Sequence, residues 1–348
     1  MSDPTSVQDK SAAANVDWKL AATTAARLVR PGPDMSEYTR THVAAELQEL
    51  SVFADGPVRE VTGLTDDRPV RPARIVDRPG WARAAAHSLA ELTGSSQPPG
   101  GLLRGRPAGL QAGAILSFLS TAIIGQYDPF SGPDGTLLLV APNVVAAERA
   151  MRVRTRDFRT WVCLHEVTHR VQFTATPWLA DYMRGLVDAL GEHTEETLGD
   201  LTRRLTSAVR RSDDTGLDRG VVGVLLATQP PRQRDAMVSL LMLGTLLEGH
   251  AEHVMDAAGP AVVPTVAHIR ELFDQRRRRR TNPLQWLMRT ALGVDAKIAQ
   301  YVKGKKFVDT IVERVGMQEF NAIWTSPETL PKPQEIGAPE RWIQRVLG

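Results

Sequence analysis

His165-Glu166-Val167-Thr168-His169 sets two imidazoles four residues apart with a carboxylate between them. On a helix, residues four apart share a face, so both rings can aim at one point. Two such histidines are two thirds of a catalytic zinc site, which typically has three protein ligands and one open position for water. Glu166, one residue beyond the first histidine, is angled to reach that water and act as general base. Five positions of which only three are specified recur by chance, so the flanking sequence decides what the motif is worth.

The flanks favour a buried helix over two surface histidines. Phe158, Trp161, Val162, Leu164 and Val171 fall at helical spacing, and Thr155 or Asp157 can cap the start. The helix should run to about Phe173, with Thr176-Pro177 opening the next one near Trp178. One departure stands out: Arg170 follows the second histidine, where zinc peptidases usually carry an uncharged residue.

The third ligand must come from elsewhere. An HExxHxxGxxH continuation would need Gly and His where this chain has Gln172 and Ala175, so that class is excluded. A Glu on a second, downstream helix, the gluzincin arrangement, fits Leu246-Leu247-Glu248-Gly249-His250-Ala251-Glu252-His253. That helix should start near Arg234-Asp235 and stop at Gly259-Pro260. At about 100° per residue, Glu248 shares a face with Leu241, Gly244, Ala251, Glu252 and Met255, while His250 and His253 fall opposite. A carboxylate buried on such a stripe is costly unless paired or metal-bound, and two histidines with one Zn2+ would satisfy it. Glu252, one turn on, is expected to accept the remaining ring N–H of a zinc-bound histidine. The rival carboxylates, Glu192 and Glu195, sit in a polar stretch that reads as a solvated helix junction. Tyr127, His250 and Tyr301 are candidates for stabilising an oxyanion or touching substrate. Spacing does not choose among them, and helical geometry argues against His250.

Beyond the motif, the chain resembles a bacterial family of zinc-dependent metalloproteases that has been associated with biosynthesis of a deazaflavin coenzyme. The resemblance covers most of the chain after the first fifteen residues. It rests on Val16-Asp17-Trp18, Ala25-Ala26-Arg27-Leu28-Val29, Gly125-Gln126-Tyr127-Asp128-Pro129-Phe130 and Leu138-Leu139-Val140-Ala141-Pro142-Asn143. It continues through the motif helix, Glu248-Gly249-His250-Ala251, Gly316-Met317 and Trp324-Thr325-Ser326-Pro327-Glu328-Thr329-Leu330-Pro331. The resemblance implies a zincin-like hydrolase; the coenzyme association reads as co-occurrence of genes and says little about the reaction.

Composition narrows the alternatives. A chain of 348 residues, 42% hydrophobic and 24% charged, can bury a large core in one elaborate domain or two. A net charge of +2 gives no general case for nucleic acid or membrane. The five arginines at 276–280 lack the interleaved aromatics of a nucleic-acid surface and read as a solvated helix end. The single cysteine, Cys163, rules out an intramolecular disulfide, suits a cytoplasmic location, and lies rotated away from His165, so it reads as core. Residues 1–15 lack the apolar stretch of a signal peptide and read as a disordered tail; the longest apolar run, 112–124, is too short to span a bilayer.

The pattern predicts a mainly helical fold with a small β-hairpin. Helices are expected over 18–29, 36–53, 81–92 and 108–122, with loops at 63–72 and 94–107. Two strands, 123–127 and 136–142, should flank a Pro/Gly-rich turn. Leu137-Leu138-Leu139-Val140 suits either an edge strand to which a substrate peptide adds or a small structural hairpin, and the sequence does not choose between them. Residues 16–107 then form an N-terminal helical region, 108–260 a zincin-like catalytic core, and 261–348 a C-terminal helical region packed on it. The expected partner is a peptide or protein substrate.

Overall fold

The computed structural model describes residues 16–94, 105–191, 230–279 and 304–348. Helices α1 (Trp18–Leu28), α2 (Glu37–Phe53) and α3 (Asp55–Thr62) lead into strand β1 (Arg74–Val76) and helix α4 (Arg78–Leu92). Helix α5 (Arg106–Leu119), strands β2 (Gly125–Asp128) and β3 (Thr136–Val140), and helix α6 (Ala141–Met151) follow. The motif lies on α7 (Thr155–Thr174), succeeded by α8 (Leu179–Gly191) and the long α9 (Pro231–Ala257). Next come α10 (Gly259–Val262), α11 (Val266–Arg279) and α12 (Gly304–Phe320). Two 3-10 turns, α13 (Pro333–Ile336) and α14 (Pro339–Val346) close the chain.

Local chemistry explains several of these starts. Asp17 and Asp77 accept the backbone N–H of Leu20 and Gly80 at 2.8 and 2.7 Å, capping α1 and α4. Ser36 Oγ accepts from Thr39 N at 3.1 Å at the head of α2. Helix α7 starts where expected, but neither Thr155 nor Asp157 caps it. The Asp157 carboxylate instead accepts from Thr265 N and Oγ1 at 3.1 and 2.6 Å, pinning the start of α11.

The sheet has the order β1-β3-β2, with β1 parallel and β2 antiparallel to β3. This corrects the expected placement of Leu137-Leu138-Leu139-Val140 on an edge. Leu139 pairs with Ile75 on one side and Gly125 on the other, so β3 is the central strand and β2 an edge. The second strand also ends earlier than expected: Pro142 sits in the first turn of α6, where a missing N–H costs nothing. Val140 N donates to Ile124 O, so alternation along the antiparallel pair turns the backbone polar groups of Gly125 and Tyr127 to the free edge of β2.

Three apolar clusters hold the elements together. The largest joins α2, α3, α6, α9 and α11 around α7, with Phe158, Leu164, Val167 and Val171 fully buried. A second packs α8, α9 and α12 against the C-terminal turns through Leu246, Phe307, Ile311 and Trp342. The third joins α1, α4 and α5 to the sheet at Trp81, Leu116 and Leu138. Among the described residues, no helix is long and apolar enough to cross a membrane.

Candidate metal centre

Helix α7 is buried on nearly every side, so each polar residue it carries needs a partner. Its two buried arginines have them, although the indole nitrogen of Trp161 is buried without one. Arg159 grips Glu148 with two bonds of 2.9 and 2.7 Å and also meets Glu46. Arg170 donates to Asp55 at 2.9 Å and to Arg71 O at 2.8 Å, which accounts for a charge directly after the second histidine: it turns away from the motif face to meet α3.

On the motif face, His165 and His169 point their Nε2 atoms at one another, 3.2 Å apart. Glu248, reaching across from α9, brings one carboxylate oxygen to 3.5 Å from His165 Nε2 and the other to 3.6 Å from His169 Nε2. One donor atom from each of the three residues lies within 4.8 Å of the others. A tetrahedral ion with bonds of about 2.0–2.2 Å separates its ligands by about 3.3–3.6 Å, so the two nitrogens stand close to one such edge apart, and the carboxylate, which turns a different oxygen to each of them, completes a donor set whose chemistry suits zinc. Glu248 is not the buried carboxylate its stripe suggested. Its side chain is 54% exposed, on a cavity wall, and geometry rather than burial singles it out.

Without an ion this cluster already favours positive charge. Burial opposes a charged His165, yet the hydrogen bond and charge of Glu248, with Glu166 and Glu252 behind, raise its pKa to about 9. His169 is held down by burial and by neighbouring His165. Burial lifts Glu166 to about 7, with His165 opposing and Glu248 adding.

The ring of His169 is oriented from behind by Gln172, one turn further along α7. The carbonyl oxygen of Leu247 can only accept, so the Gln172 group 3.0 Å from it must be the Nε2 amide nitrogen. The same nitrogen donates to His250 Nδ1 at 3.0 Å. Gln172 Oε1 therefore faces His169 Nδ1 at 2.9 Å and accepts its proton, leaving the Nε2 lone pair free for a metal. His165 has a weaker guide, the Met255 sulfur 3.2 Å from its Nδ1. Sequence reasoning missed Gln172 as an orienting group, although its place three residues after His169 put it on the right face.

Two glycines let these parts approach. A Cβ on Gly125 would stand 2.5–2.8 Å from the Glu166 side chain, so the edge strand lies directly against that carboxylate. A Cβ on Gly249 would meet the Gly304 backbone at 2.1–2.6 Å, so α9 seats against α12 only with glycine beside Glu248.

The remaining candidates scatter. Glu252 lines the same cavity, 3.8 Å from Arg270 Nη1. Tyr127 spends its hydroxyl on Asp134 O at 2.9 Å, and burial pushes its pKa up to about 12. His250 is fully buried between Phe320 and Trp324, away from the cavity, and burial lowers its pKa to about 3. Cys163 is buried in the core with its thiol pKa raised by burial. Tyr301, Glu192, Glu195 and Arg280 lie outside the described residues, as do the side chains of arginines 276–279.

These features meet a match in sequence. The chain belongs to the zincin-like metallopeptidase family, whose model matches residues 16–343. A crystal structure from Chloroflexus aurantiacus, named provisionally as a hydrolase with a novel fold, is similar at 27% identity and a TM-score of 0.68. The match covers 95% of this chain and 98% of that one. No curated protein matches. Family membership places the protein among metal-dependent hydrolases; neither match speaks of a deazaflavin coenzyme.

Proposed function

We propose that the protein is a zinc-dependent peptidase in which His165, His169 and Glu248 hold one Zn2+ and Glu166 is the general base. The observation that carries this reading is the convergence of two Nε2 atoms 3.2 Å apart with a carboxylate whose two oxygens lie 3.5 and 3.6 Å from them, one donor of each residue lying within 4.8 Å of the others on a cavity wall. When bound, the ion supplies Lewis-acid polarisation of a carbonyl and acidifies a coordinated water.

Glu166 accepts a proton from the attacking water at its carboxylate and passes it to the leaving amine nitrogen. Its contact with Gly125 limits the positions that the carboxylate can take. Gln172 keeps the proton of His169 on Nδ1 throughout, so the facing nitrogen remains a ligand. The free edge of β2 offers the backbone groups of Gly125 and Tyr127 to an extended peptide, a role that passes to β2 from the central β3. A cytoplasmic site of action belongs to this reading, supported by a lone thiol buried in the core.

The test compares wild type with Glu166→Gln. Zinc content and melting temperature should stay unchanged while peptide cleavage falls by about two orders of magnitude or more. Undiminished cleavage by the variant would remove Glu166 as base. A catalytically silent, metal-stabilised binding protein is the second reading; it gains if wild type binds zinc and cleaves nothing across a broad peptide library.

A further inference from the structure

Trp161, His165, His169 and Phe173 form a row at four-residue spacing along one face of α7, and all four line one cavity of about 1100 Å³. That volume is above the roughly 300–1,000 Å³ of ordinary small-molecule sites and suits several residues of a peptide. With about 1.5 Å rise per residue, the row from Trp161 to Phe173 is about 18 Å long, the span of about five extended residues. The metal ligands sit in its middle.

Apolar side chains continue the row at both ends. Beside Trp161 the wall is built by Ala147 and Met151 of α6 and Phe273 of α11; beside Phe173 it is built by Phe130, Met183 of α8 and Leu247 of α9. The charges on the wall outside the metal centre are already engaged by protein groups. Arg270 donates through Nε and Nη2 to Asp256 at 3.0 and 2.8 Å, lies 3.8 Å from Glu252 and stacks over Trp161. Asp128 accepts from Ser88 Oγ at 2.7 Å and from Phe130 N at 3.0 Å. An exopeptidase needs a charge to hold a terminal ammonium or carboxylate; among the described lining residues outside the metal centre, Arg270 and Glu252 face each other and Asp128 is buried with its carboxylate hydrogen-bonded inside the wall.

We infer that this row is an endopeptidase cleft for apolar segments. It takes an internal stretch of about five extended residues, with bulky aliphatic or aromatic side chains on both sides of the scissile amide, and grips neither chain end. The inference rests on the peptidase reading above, and the experiment separates the two.

In the first arm, zinc-loaded Glu166→Gln is titrated into two hexapeptides capped by N-terminal fluorescein and C-terminal amide, one of Leu and Phe, the other of Ser and Glu. Anisotropy should show the apolar peptide binding at least tenfold more tightly. Met151→Asp and Met183→Asp, each added to that variant at opposite ends of the row, should each remove at least tenfold of that affinity with zinc content unchanged. Met151→Gln and Met183→Gln substitute where an aspartate prevents folding. Equal binding of the two peptides overturns the inference.

In the second arm, wild type is given a quenched-fluorescence library with both termini blocked. Cleavage between apolar residues, changed less than twofold by freeing either terminus, supports the cleft. Cleavage that requires a free terminus or favours polar flanks sinks the cleft and leaves the peptidase standing. Tight apolar binding by Glu166→Gln with no cleavage by wild type does the reverse.

Discussion

The two sides of α7 treat buried polar groups in opposite ways. On one side Arg159 and Arg170 meet Glu148, Glu46 and Asp55, and every charge has a counterpart in contact. On the other, two imidazole nitrogens and a carboxylate crowd within 3.6 Å of each other on the wall of a cavity. The first arrangement is complete as protein and serves as scaffold. The second gathers the donor atoms of a candidate cation site. Burial alone does not distinguish them; the direction of the lone pairs does.

The sharpest way to break this contrast is to remove a scaffold charge. Arg159→Met leaves the buried Glu148 carboxylate without its partner, Glu46 keeping Arg156 at 3.4 Å, and should cost about 3–5 kcal/mol in chemical denaturation, while the folded fraction keeps its zinc. A loss below about 1 kcal/mol, the usual worth of an exposed pair, would show that this side is no more structural than a surface salt bridge.

A finer cut lies between the sides, at Gln172. Gln172→Leu removes the acceptor for His169 Nδ1–H and should weaken zinc binding about 10–100-fold. Gln172→Glu keeps an acceptor at that position but loses the donations to Leu247 O and His250. It should restore most of the zinc affinity and lower stability, because a carboxylate is then buried beside a carbonyl. Chelator competition and thermal melting measure the two quantities, and nitrogen-15 shifts report the His169 tautomer. Equal zinc affinity in all three proteins would reduce Gln172 to packing.

The smallest effect is expected far from the site. Glu335 is buried; burial opposes its ionised form, but Arg345 at 2.7 Å and the Lys332 N–H hold its pKa below the usual carboxylate range. Because the folded-state pKa is depressed, its stabilisation is fully present above the ordinary carboxylate pKa and disappears as pH falls through the lowered value. Glu335→Gln should therefore cost about 1–3 kcal/mol at neutral pH, with the gap to wild type closing in acid. A gap that stays constant down to pH 2 would contradict the ion pair.

The residues of the metal centre were legible because their relation is local. Spacing of four on one helix brings His165 to His169, and an angular count along a second helix singles out Glu248. Strand order was not legible. Nothing in Leu137-Leu138-Leu139-Val140 announces that Arg74-Ile75-Val76 will pair with it from sixty residues upstream, and a three-residue strand between polar turns has too few positions to show a period. Helix α3 escaped because Gly56-Pro57, usual punctuation between elements, falls in its first turn, where proline is tolerated. Helix α6 escaped for the same reason at Pro142. Gln172 was visible only as a mismatch to one zinc motif; its partners lie on α9, and tertiary packing alone unites them.

Whether His165, His169 and Glu248 converge on one cation is decided by zinc titration of the metal-free protein, with wild type beside Glu248→Ala. Wild type should bind one zinc per chain, and the variant should bind it more than about 100-fold more weakly, since losing a direct ligand should exceed the loss of an orienting group. Absence of zinc binding by wild type, or equal affinity in the two proteins, would contradict that convergence.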